Sequence, residues 1–273
     1  MRFNKISRIS SLPMAALAVS SFSQAAVLIS DNFDGVATGD NLESRVPSFV
    51  DPSLSGAVWD ATTANFFGNG DGGLVATAGP SVNRAAGIDL GSATFFTDNP
   101  GIYELSVTIQ QVSGTGSSWV GFGFGAALDV AVNQTQPGSL GNPWLINRMS
   151  GSTVFFREGT SSLNTGTAPV GTQNLFSLRL NTTGTAWTLD GFINGTQIDL
   201  NTANPGTSTY TFGTAPEGLR YLTMSTGHNM TGETEGTSNL SIVDNFTFSA
   251  VPEPSAALLA FAGAAGAVFR RRR

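Results

Sequence analysis

Alternation of apolar and polar positions is the strongest signal along this chain. Over residues 102–112, Tyr103, Leu105, Val107 and Ile109 fall on one parity, and Glu104, Ser106, Thr108 and Gln110 on the other. Successive side chains of a strand point to opposite faces, so this run reads as a half-buried strand. Phe176, Leu178 and Leu180 repeat the pattern with Arg179 opposite, and Leu240, Ile242, Phe246 and Phe248 share a face near the end. No segment between residues 26 and 250 keeps a 3.6-residue apolar period long enough for an amphipathic helix. Turn signals separate the runs. Asn194-Gly195 suits a type I′ hairpin, because both residues tolerate φ > 0. Ser150-Gly151-Ser152 and residues 181–184 punctuate the chain in the same way. Many short antiparallel strands predict an all-β fold, an antiparallel two-sheet jelly-roll sandwich over residues 26–250. No linker or fixed-period repeat divides that region. Leu105, Val107, Phe122, Phe124, Phe246 and Phe248 are its expected core.

One strand departs from ordinary alternation. In residues 119–125, Val120, Phe122 and Phe124 alternate with Gly121, Gly123 and Gly125. Glycine inside a strand marks a bulge or a close backbone approach. The functional reading is a groove floor that a ligand approaches closely. Trp119 shares the glycine parity. Trp119 and Trp144 are the candidates for stacking on a sugar ring, set against the usual role of aromatic side chains as core filler.

Charge sharpens the picture. Charged residues are 12% of the chain, about half the usual share of ~25%. Basic residues gather at the two ends, and the middle carries arginine but no lysine beside nearly all of the acidic residues. Nucleic acid binding needs a basic footprint, so that class is excluded for the middle. There is no cysteine, which removes disulfides, thiol catalysis and thiolate metal sites.

The ends read as addresses. Arg2, Lys5 and Arg8 precede a short apolar run over residues 12–22, and Ser23-Gln24-Ala25 supplies small residues before Ala26. That is the build of a secretory signal peptide over residues 1–25, cut between Ala25 and Ala26. Residues 251–273 begin Val251-Pro252-Glu253-Pro254, continue through the uncharged segment 255–269 and finish on Arg270, Arg271, Arg272 and Arg273. As a helix, that segment would be a short transmembrane element, ~22 Å long against a hydrocarbon core of ~30 Å. Its arginines would stay cytoplasmic. Pro252 and Pro254 hold the preceding chain extended.

Pro252-Glu253-Pro254, the apolar segment and the terminal arginines together resemble the PEP-CTERM sorting signal of Gram-negative bacteria. The resemblance implies processing near the tripeptide by an integral-membrane exosortase. It implies a transient inner-membrane anchor, then a place on the outer surface or in the extracellular matrix, with exopolysaccharide as a partner. The middle resembles concanavalin A-like, laminin-G-type jelly rolls. The resemblance rests on the Asp31-Asn32-Phe33 opening, the 190–195 hairpin and the closing Asp244-Asn245-Phe246. That fold implies that the two Asp-Asn-Phe segments are neighbours. It also implies a structural calcium ion near the chain ends, for which Asp31, Asp34 and Asp244 are candidates. Asn69 and Asp71, in the glycine-rich loop 68–73, form a second calcium candidate.

Catalytic chemistry is sparse. The fold's glucanases carry a Glu-x-Asp-x-(x)-Glu strand motif, which is absent here. His228 is the one histidine, and Glu233 and Glu235 sit in a Gly/Thr/Ser loop. These observations predict no enzyme and no certain cofactor. The expected role is that of an exported, surface-sorted, non-catalytic protein. A lectin-like carbohydrate-binding module and a divergent polysaccharide hydrolase are the alternatives.

Overall fold

The computed structural model describes residues 25–252 apart from 62–65, 71, 78–81, 113–118, 128–142, 158–159, 203, 205, 217 and 229–238. The expected signal peptide up to Gln24 and the expected transmembrane segment lie outside the described residues, as do Glu253, Pro254 and the terminal arginines. Among the described residues no helix is long and apolar enough to cross a membrane.

The alternation of residues 102–112 becomes β7 (Ile102–Gln111), whose odd positions from Tyr103 to Ile109 are buried. It pairs with β12 (Gln173–Asn181), placing Leu178 opposite Leu105 and Phe176 opposite Val107. Matched parity puts both apolar sets on one face, which fixes the register. Beyond β12 lie β13 (Thr188–Ile193) and β14 (Thr196–Ile198), joined by Asn194 and Gly195 at φ of 50° and 77°. These are the positive φ values a type I′ hairpin demands. On the other side of β7 runs β17 (Asn239–Val251), followed by β1 (Ala26–Asp31) and β2 (Phe49–Val50). β15 (Tyr210–Thr211), β4 (Phe66–Gly68) and β5 (Leu74–Thr77) complete a ten-stranded antiparallel sheet.

The second sheet has seven strands. Its order is β11 (Thr160–Thr167), β10 (Ser152–Arg157), β9 (Trp144–Arg148), β8 (Trp119–Gly125), β16 (Tyr221–His228), β6 (Val82–Asp89) and β3 (Trp59–Ala61). The inner faces of the two sheets share one hydrophobic cluster. Phe124 of β8 meets Phe248 of β17 at 6.5 Å between ring centroids. Phe96, from the short helix α1 (Phe95–Asp98), lies 5.7 Å from Phe124 and 6.2 Å from Phe248. All six expected core residues are buried, none more than 1% exposed.

β17 organises the first sheet. It pairs with β7 along one edge. Its other edge takes β5 up to Val243 and β1 from Phe246 onward. The change of partner falls at Asn245, where φ is 51° and the ladder slips. Asparagine tolerates that left-handed conformation, and a bulge there lets one strand serve two partners in turn. Asp31 is the Cα partner of Phe246, so the two Asp-Asn-Phe segments are neighbours.

Candidate functional site

Three surroundings hold the residues singled out by sequence, and a fourth group was missed. The first lies where β1 ends against the bulge of β17. Asp31 is fully buried. Its Oδ1 accepts from the Phe33 N–H at 3.0 Å, Ser48 Oγ at 2.9 Å and Arg45 Nη2 at 3.1 Å. Its Oδ2 accepts from Trp59 Nε1 at 2.8 Å and Arg45 Nε at 3.2 Å. Both oxygens are thus committed to protein donors. Trp59 in turn packs between Phe33, at 6.0 Å, and Phe246, at 4.9 Å. Burial of a carboxylate is tolerated because an arginine and three further donors replace water.

Asp34, Asp244 and Asn69 come to the same corner. Burial raises the Asp244 carboxyl above its usual range; the Asn245 N–H opposes this, and the charges of Asp34 and Asp31 add to it. Gly72, at φ of 80°, brings the 68–73 loop against Asp34, whose Oδ1 would stand 2.6 Å from a Cβ there. Asn69 Oδ1 accepts from the Gly73 N–H at 3.0 Å. The two calcium candidates therefore occupy one corner rather than two, with Asp71 outside the described residues. No group of three or more His, Cys, Asp or Glu placed to hold a metal ion occurs among the described residues.

The glycine strand is the second surrounding. A Cβ on Gly121 would stand 2.9 Å from Ile146 Cγ1 and 3.1 Å from the Leu145 carbonyl oxygen. One on Gly123 would run into the Pro143 carbonyl oxygen and stand 3.0 Å from Trp144 Cα. The bare parity of β8 is thus the seat of Pro143 and the start of β9. Trp144 is fully buried, with no ring face left for a sugar. Trp119 is half-buried. Its indole crosses the neighbouring strand, where a Cβ on Gly227 would meet Nε1, Cε2 and Cζ2.

The third surrounding is the outward parity of β7. Glu104 takes two hydrogen bonds from Arg179, at 3.0 and 2.7 Å, across the β7–β12 ladder. The Arg179 guanidinium also lies 4.8 Å from the Phe192 ring centroid.

The missed group stands at the β16–β6–β3 edge of the seven-stranded sheet. Arg220 grips both oxygens of Asp89, with Nε to Oδ1 at 2.9 Å and Nη2 on Oδ2. The guanidinium carbon lies 5.1 Å from the Tyr221 ring centroid. Asp60, on the next strand, points outward opposite Gly87. Burial, with Glu43 and Asp89 close by, raises the Asp60 carboxyl. Burial also works against the Asp89 carboxylate. There, hydrogen bonds from Arg220 and the Gly91 N–H, with the Arg220 charge, outweigh it and hold the group below the usual range. A pocket of about 340 Å³ opens beside Asp89, lined among others by Ser53, Ser55, Gly56 and Gly91. The sequence offers no spacing signal for this group, because separate segments bring its members together.

Comparison with known proteins defines the class first. The endo-1,3-beta-glucanase of Streptomyces sioyaensis superposes with a TM-score of 0.52 at 14% identity, covering 85% of this chain and 98% of that one. The Trypanosoma rangeli sialidase gives a TM-score of 0.45 at 12% identity, over 74% of this chain and 28% of that one. The Emp46p carbohydrate recognition domain gives 0.43 at 11% identity, over 77% and 96%. At 14% identity the likeness to the glucanase is one of fold, a β-sandwich of the jelly-roll kind. No curated protein sequence matches the chain. Residues 250–273 match the PEP-CTERM protein-sorting motif. The chain thus carries a PEP-CTERM signal and is an exported, sorted protein whose motif implies exosortase processing.

One expectation is corrected. The residue inventory predicts no enzyme, whereas the fold is shared with an endo-1,3-beta-glucanase. A missing motif, a single histidine and a loop-borne glutamate pair are local signals. Asp60 and Asp89 come together only through β3–β6 pairing.

Proposed function

We propose that the chain is an envelope or matrix protein of a Gram-negative bacterium that engages surface polysaccharide through the β16–β6–β3 edge. On this reading residues 1–25 direct export and are cut before Ala26. The apolar segment holds the precursor in the inner membrane until exosortase acts. The observation that carries the reading is the meeting of Asp89, Arg220, Tyr221 and Asp60 beside a pocket. Sugar recognition uses carboxylates that accept from neighbouring hydroxyls, a guanidinium that donates, and an aromatic face.

The fold shared with an endo-1,3-beta-glucanase supports a second reading, hydrolysis. On that reading Asp60, exposed on β3, would supply the carboxyl, since Asp89 has both oxygens on Arg220. Purified exported protein incubated with a polysaccharide panel separates the two readings. Retention weakened by Tyr221→Ala, without sugar release, supports binding. Reducing-end release abolished by Asp60→Asn supports hydrolysis. Neither retention nor release on any surface polysaccharide would remove both.

A further inference from the structure

The core of the sandwich changes character at one end. Gln111 follows the core residue Ile109 by two positions on β7, and Ser241 precedes Val243 by two on β17. On the second sheet Thr226, Asn147 and Thr153 stand in the same relation to Met224, Leu145 and Phe155. A step of two keeps a side chain on the same face of its strand, so all five point between the sheets. All are buried, none more than 2% exposed. Register lines them up. Gln111 is opposite Ser241, while Thr153, Asn147, Val120 and Thr226 follow one another across four strands. A layer that strict alternation would fill with aliphatic side chains is thus mostly amide and hydroxyl.

Part of this layer is satisfied within the protein. Gln111 Nε2 crosses between the sheets and donates to the Asn147 carbonyl oxygen at 2.8 Å, and Gln111 Oε1 accepts from Ser241 Oγ at 2.5 Å. Thr165 Oγ1 donates to Thr153 Oγ1 at 3.3 Å. The rest is not satisfied. Asn147 Nδ2, Asn147 Oδ1 and Thr226 Oγ1 are buried without a hydrogen-bond partner. Turning the Asn147 amide over exchanges its two ends and leaves both unpaired. Buried polar groups of this kind are normally paired, with protein or with internal water.

The unpaired atoms define what can sit there. Nδ2 only donates and Oδ1 only accepts, whereas the Thr226 hydroxyl does either. A metal cation would serve the acceptors and leave Nδ2 orphaned, and an anion would do the reverse. The five side chains are neutral, so neither ion would find a counter-charge among them. The ligand must both donate and accept, and it must be small enough to lie between packed sheets. Water meets both conditions. Val120 stands between Asn147 and Thr226 in the register, so each has its own site. We propose that this layer is a buried hydration site, with ordered water on the Asn147 amide and on the Thr226 hydroxyl. That water completes the polar join between the two sheets that Gln111 begins.

Thr226→Val keeps the shape of the side chain and removes only the hydroxyl, so the sign of its effect is informative. A hydroxyl that holds water leaves that water short of a partner when it is removed, and the Tm of the purified exported protein should fall by about 2–4 °C. Removing a dry, orphaned hydroxyl would instead relieve an unfavourable burial. An unchanged or raised Tm therefore overturns the proposal. The second measurement needs no variant. A crystal structure of the exported protein at a resolution that shows water should place ordered oxygens about 2.7–3.2 Å from both Asn147 amide atoms and from Thr226 Oγ1. A dry site at either residue in that structure overturns the proposal, whatever the variant does.

Discussion

The central strands of the two sheets obey different rules. β7 alternates strictly between buried and partly exposed positions, while β8 is buried at every position after Trp119. The ten-stranded sheet therefore turns a polar face outward at β7 and β12, held by the Glu104–Arg179 pair. The seven-stranded sheet is buried on both faces at β8 and β9, with Pro143 and Trp144 over bare glycine. One-sided burial writes a two-residue period into the sequence. Two-sided burial replaces polar positions with small ones and erases it.

Substitutions can break this contrast at several strengths. Phe248→Ala empties a core site shared by both sheets and should cost about 3–5 kcal/mol. Leu175→Ala, on an exposed position of β12, should stay within about 0.5 kcal/mol. Equal losses in urea unfolding would mean that the inside and outside of the first sheet are misassigned. Asp31→Ala attacks the corner where β1 meets β17. It orphans Trp59 Nε1 and the partly buried Arg45, and a loss of about 3 kcal/mol is expected from a broken pair of this kind.

Glycine substitutions test the second sheet directly. Gly123→Ala drives a methyl group into the Pro143 backbone and should cost about 1–3 kcal/mol, an overpacking loss. Gly121→Ala meets mainly the Ile146 side chain and should cost less. If thermal unfolding shows no loss for either, the glycines hold no close neighbour and the ligand-floor reading returns. Glu104→Ala should be milder still, about 0–1 kcal/mol and weaker in high salt, because that pair is partly solvated.

The smallest effect concerns pH. The fold raises the Asp60 carboxyl, so the ionised form is disfavoured in the folded chain. Asp60→Asn should then raise the Tm at neutral pH. The gain should fade as pH falls through the carboxylate range, where the wild-type group is neutral in both states. Asp89 has the opposite sign. Its lowered carboxyl stabilises the fold above the unfolded value and loses that contribution as pH falls through the folded one. Asp89→Asn should therefore lower the Tm at neutral pH, and the two Tm-against-pH curves should differ in sign. Matching curves would show that the β16–β6–β3 edge does not separate the two carboxyls.

Much of this architecture is written in the order of residues along the chain. Parity identified β7 and β12, and Asn194-Gly195 identified the β13–β14 hairpin; the meeting of the two Asp-Asn-Phe segments came only from what the jelly-roll resemblance implies. The sorting motif was legible because a short address is read as a linear segment. Each of these signals is local, set by side-chain period, permitted φ or contiguous residues. Tertiary structure alone decided that Asp31 spends both oxygens on Arg45, Trp59, Ser48 and the Phe33 N–H. It decided that Gly121 and Gly123 seat a neighbouring strand. It also decided that Asp60, Asp89, Arg220 and Tyr221 share one edge. Those outcomes depend on which strands pair and in what register, and antiparallel pairing joins residues far apart in the chain.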